Sequence, residues 1–111
     1  MASEKRLAVL ESMTASGKAD SFGWYALALE YKGLGRHPEA LATFAKLRER
    51  DPGYVAMYLM CGTMLAGLGR PLEAREWLES GIVAARAAGN GHAASELEQA
   101  LEALPPPQSL P

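Results

Sequence analysis

Residues 33–40 read Gly33-Leu34-Gly35-Arg36-His37-Pro38-Glu39-Ala40, and residues 67–74 read Gly67-Leu68-Gly69-Arg70-Pro71-Leu72-Glu73-Ala74. Gly, Leu, Gly, Arg, Glu and Ala recur at a constant offset of 34 residues (Gly33 to Gly67). A fixed period of this size marks a stacked helical repeat, in which each unit buries its apolar face against the next. Arrays of this kind seldom carry chemistry and usually present a surface.

The flanking sequence supplies the helices. Leu7, Leu10 and Met13 place an apolar stripe on a first helix over 4–16, with Ser3 at its start and Gly17 at its end. Asp20 or Ser21 opens a second helix through Phe22, Tyr25, Leu29 and Lys32, which stops at Gly33-Leu34-Gly35. Pro38 suits the first turn of a third helix, where its missing N–H costs nothing, and Asp51-Pro52-Gly53 ends that helix. The pattern then repeats, with a fourth helix over about 54–67 and a fifth from Pro71 toward Ala88. After Gly89-Asn90-Gly91, a last helix over 92–104 carries Leu97, Leu101 and Leu104 on one side and glutamates on the other. No stretch alternates with period two, so the expected fold is all-α: about six helices in antiparallel helix-turn-helix repeats, stacked as a short α-solenoid.

Residues 21–54 resemble a tetratricopeptide repeat in the order and spacing of Trp24, Leu27, Ala28, Tyr31, Gly35, Ala40, Phe44, Leu47 and Pro52. Residues 55–88 resemble a second copy through Tyr58, Cys61, Gly62, Leu65, Gly69, Ala74 and Leu78. The copies diverge late, where Gly81 replaces Leu47 and Arg86 replaces Pro52, so the second copy's last helix is free to run longer. The resemblance implies about two and a half repeats in a single domain over 1–104. A helix over 4–16 and a capping helix over 92–104 flank the two repeats, and an extended, mobile Pro-rich tail covers 105–111.

Length and charge narrow the function. A chain of 111 residues, 49% hydrophobic and 22% charged, has the make-up of a folded domain and not of a disordered segment. A net charge of −2 without a basic stripe argues against a nucleic-acid partner, and the apolar runs are too short to span a bilayer. Met1-Ala2-Ser3-Glu4-Lys5-Arg6 meets charge at once, unlike a signal peptide, and one cysteine permits no intrachain disulfide. The expected location is cytoplasmic. Cys61 takes the place of Leu27 and so belongs to the core, while His37 and His92 have no companions at metal-ligand spacing. No nucleophile–base set or phosphate loop is visible, so neither an enzyme, a metal site nor a cofactor is expected.

In the family that the repeats resemble, the first helix of each repeat lines a groove that receives a peptide or helix. That implies partner-binding residues at Phe22, Tyr25, Leu29 and Lys32, then Leu59, Met60 and Thr63, with Ala26, Ala56 and Ala66 between them. Lys32 is the one cation of the set, so an apolar ligand is expected over a carboxylate. Two occupants stay open at this level: an apolar peptide or amphipathic helix of a partner protein, or a second copy of the chain meeting it through the same surface or an uncapped end.

Overall fold

The computed structural model describes residues 2–107, with six helices and no strand among them. These are α1 (Glu4–Ala15), α2 (Ser21–Gly33), α3 (His37–Arg50), α4 (Ala56–Gly67), α5 (Pro71–Ala87) and α6 (Gly91–Glu102). They form an all-α helical repeat, grouped into two compact units over 1–52 and 53–111. Met1 and the part of the expected tail from Gln108 to Pro111 lie outside the described residues.

The repeated block is a repeated turn. Gly35 and Gly69 take left-handed backbone, with φ of +75° and +76°, which a Cβ would strain. The Gly35 and Arg36 N–H groups donate back to the Lys32 and Tyr31 carbonyls, and Gly69 and Arg70 make the same bonds to Ala66 and Leu65. Each arginine then forks onto the glutamate three residues on. Arg36 Nη2 lies 2.8 Å from Glu39, and Arg70 holds both oxygens of Glu73 at 2.7 Å. Both glutamates sit in the first turn of the next helix, where the helix dipole favours a carboxylate.

In the first unit, Ser3 caps α1 by accepting from the Arg6 N–H, and Asp20 caps α2 by accepting from the Gly23 N–H at 2.9 Å. Leu7, Leu27, Ala28, Ala40, Phe44 and Leu47 form its core. The expected α1 stripe turns out rotated: Leu7 is buried, Leu10 half-buried and Met13 exposed. The face toward α2 runs through Leu7, Leu10, Glu11 and Thr14, the spacing that keeps side chains on one side of a helix.

In the second unit, α4 and α5 touch almost backbone to backbone. A Cβ built on Gly62 would stand 2.6 Å from Leu78 Cδ2 and 3.6 Å from the Ala74 carbonyl. Tyr58 and Trp77 pack beside that contact with ring centroids 5.9 Å apart. Lacking a proline at Arg86, α5 extends to 17 residues against 14 in α3. Asn90 caps α6 through the Ala93 N–H, and α6 packs on α5 and α4 through Ala94 and Leu97. The last helix ends at Glu102, two residues short of its expected end.

Candidate partner-binding faces

Asp20 starts α2 so that Phe22 falls in its first turn, pointing to water with 66% of its surface exposed. Tyr25, Leu29 and Lys32 follow on the same side at helical spacing, each half-buried, with Ala26 between them. The face is thus an aromatic tip followed by a partly embedded apolar strip and one cation. In the second unit, α4 holds Leu59, Met60 and Ala66 half-buried, with Ala56 and Thr63 exposed. Thr63 turns its hydroxyl onto the helix, donating to the Leu59 carbonyl at 2.8 Å. The neighbouring methionines Met57 and Met64 are buried, which separates Met60 from the core stripe.

Glu30 behaves unlike the other carboxylates. It is 7% exposed on α2 and accepts from the Ser3 N–H at 3.0 Å and from Arg6 Nη1 at 2.9 Å. The Ser3 N–H, and then the Arg6 guanidinium, hold its carboxyl below the usual carboxylate range. It therefore ties the start of α1 to the back of α2. The sequence carried a signal for it: 34 residues on stands Met64, so a carboxylate occupies a place that is apolar in the other copy. Nearby, Tyr31 donates its hydroxyl to Glu11 at 2.5 Å while Arg36 stacks over its ring. Burial and the Glu11 carboxylate push the Tyr31 phenol up to about 12.

Cys61 is fully buried in α4. Among the described residues no group of three or more His, Cys, Asp or Glu could hold a metal ion, and no helix is long and apolar enough to cross a membrane.

No family model matches the chain, nor does any curated protein. Solved structures do. A tetratricopeptide repeat domain protein from Salinibacter ruber, determined in solution, is 37% identical, with 75% of this chain and 84% of that one covered and a TM-score of 0.72. A crystal structure of a Salinibacter ruber tetratricopeptide repeat domain protein is also 37% identical, covering 76% and 93%, with a TM-score of 0.70. The chain belongs to the tetratricopeptide repeat family. A protein from Bordetella parapertussis, 27% identical, matches over 92% of this chain and 87% of its own at a TM-score of 0.75. The residues that carry the tetratricopeptide signature here serve packing: Leu27, Ala28, Ala40, Phe44 and Leu47 of the first unit, and Cys61, Leu65, Ala74 and Leu78 of the second, are all buried. Outside that set, Phe22 on α2 and Ala56 and Thr63 on α4 are exposed, and Tyr25, Leu29, Lys32, Leu59 and Met60 are half-buried.

Proposed function

We propose that this tetratricopeptide repeat protein is a cytoplasmic interaction adaptor that binds an apolar peptide or an amphipathic helix of a partner protein. Its anchors are Phe22, Tyr25 and Leu29 on α2 and Leu59 and Met60 on α4, with Lys32 and Thr63 as polar contacts. The observation that carries this reading is Phe22. A phenylalanine left 66% exposed in the first turn of a capped, well-packed helix contributes little to the fold. It offers a rigid aromatic contact, the kind of residue on which binding energy concentrates. Helix-in-groove recognition reads such anchors at helical spacing, as Phe22, Tyr25 and Leu29 provide.

The test measures melting temperature and partner binding on the same variants. Phe22→Ala and Leu59→Glu should melt close to wild type while losing affinity by about 2 kcal/mol or more where they are hot spots. Lys32→Ala should cost less and act mainly on association rate and its salt dependence. Variants that fold normally and retain every captured partner would move the binding surface elsewhere.

A further inference from the structure

The helices alternate in role. α2 is covered by the helix that follows it, α3, and α4 by α5, with the small pair Gly62 and Ala74 at the closest approach. α6 has the character of another first helix. Its buried Ala94 and Leu97 lie 36 residues beyond the buried Tyr58 and Cys61 of α4, which puts Glu98 at the place of Gly62 and Leu101 at that of Leu65. Where a covering helix would lie there is instead a cleft of about 470 Å³, between α5 and α6. Ile82 and Leu101 give it apolar surface, while Arg86 holds Glu98 Oε2 at 2.6 Å and Glu102 adds a second carboxylate, so the cleft stays net acidic.

α1 has the opposite character, that of a covering helix. It ends 35 residues before α3 does. In that register Lys5, Val9 and Ser12 take the places of Ala40, Phe44 and Leu47, the α3 residues buried in its own unit. On α1 the same three positions face water, and Val9 is 56% and Met13 40% exposed. This outward face holds a cation and no carboxylate.

We infer that copies of this chain associate head to tail, α1 of one copy seating in the α5–α6 cleft of the next, with Lys5 set against Glu98. The two ends are complementary twice over. A covering helix lacking its first helix meets a first helix lacking its cover. The small-on-small contact of Gly62 with Ala74 is replaced by a cation and a carboxylate, which keep the incoming helix farther out and tie it electrostatically. Val9 and Met13 then reach the apolar surface of Ile82 and Leu101. Such a contact is heterologous, so copies add in sequence unless the rotation closes a ring. The face involved is distinct from the Phe22 face, so failure of one reading leaves the other standing.

The experiment is sedimentation of the full chain from about 10 μM to about 1 mM, a range that reveals weak association. Wild type should gain mass with concentration, less so at high salt. Lys5→Glu and Glu98→Lys should each raise the apparent Kd by about tenfold or more, because attraction becomes repulsion. The double variant Lys5→Glu/Glu98→Lys should associate again, and Val9→Asp should stay dissociated in either background. Lys5 and Val9 are exposed and the Arg86–Glu98 pair is solvent-exposed, so thermal melts of the variants should stay close to wild type and exclude misfolding, with Arg86→Ala as the control for loss of that pair alone. A wild-type chain that stays monomeric to the highest concentration overturns the inference. So does association that the single charge reversals leave unchanged or that the double reversal fails to restore.

Discussion

Gly81 of α5 lies directly against Tyr58 of α4: a Cβ added there would stand 2.5 Å from the tyrosine Cβ and 3.0 Å from Leu97 Cδ2 on α6. Three helices meet over one absent side chain. At the matching place in the first unit stands Leu47, fully buried. A side chain as large as leucine has no room at Gly81 beside Tyr58 and Leu97.

Gly81→Ala should therefore destabilise by about 1–3 kcal/mol, since the added methyl meets the root of a tyrosine side chain, which cannot swing away. Gly81→Leu, which installs the residue of the first copy, should dislodge α6 altogether. Urea midpoints measure the first effect, and loss of amide protection confined to residues 91–102 reports the second. An alanine variant as stable as wild type would contradict the packing around Gly81.

Gly62 offers an internal contrast. Its added Cβ would meet the outer carbons of Leu78, a flexible end that can turn. Both glycines lie inside helices, so the roughly 0.5–1 kcal/mol of backbone entropy that alanine returns is common to the two, and the softer contact should make Gly62→Ala cost less than Gly81→Ala. Ala40→Leu and Ala74→Leu, fully buried at the two helix–helix contacts, should each lose about 1–3 kcal/mol. Denaturant midpoints that rank Gly62→Ala as the worst of the set would show that the neighbouring leucine is locked in place.

The Glu30 clamp predicts an acid dependence. Its carboxyl titrates below the usual value in the folded chain, so the charged form is favoured by folding. The resulting stability is complete above the unfolded carboxylate pKa and is lost as pH falls through the lower folded value. Glu30→Gln keeps an acceptor for the Ser3 N–H but not the charge. The variant should be less stable than wild type near neutrality, and the two should converge in acid. Parallel curves across the whole acid range would mean that Glu30 contributes nothing through its charge.

How much of this was legible in the residues depends on what each one answers to. The turns were, because Gly35 and Gly69 meet a local backbone demand that any copy must satisfy. The caps Ser3 and Asp20 were local too, as was the burial of Cys61, fixed by its register with Leu27. Met13 was misplaced because a stripe of three apolar residues allows more than one rotation, and only the docked α2 selects between them. For Glu30 the apolar Met64 at the matching place hints at burial, but its partners Ser3 and Arg6 appear only when the start of α1 folds back over it. For the proposed binding faces, the family resemblance names positions, but the exposure of Phe22 beside the half-burial of Tyr25 and Leu29 needed the packed helices.

The last prediction concerns how α6 is held. Leu97 is 1% exposed and stands over Gly81, and Ala94 is buried one turn earlier. The other ties are weak by nature: the Arg86–Glu98 pair is solvent-exposed, and the Arg75 guanidinium reaches the Pro105 carbonyl at 3.0 Å from the surface. Apolar burial at Leu97 must then dominate, and Leu97→Ala should cost about 2–5 kcal/mol, as cavity-forming changes in cores do. Arg86→Ala should cost no more than about 1 kcal/mol. If α6 is held chiefly by Leu97, hydrogen exchange in the Leu97→Ala variant should speed across 91–102 before it speeds in α4. Uniform acceleration through the whole second unit would instead make α6 part of one cooperative block with α4 and α5, and Leu97 a core residue of that block.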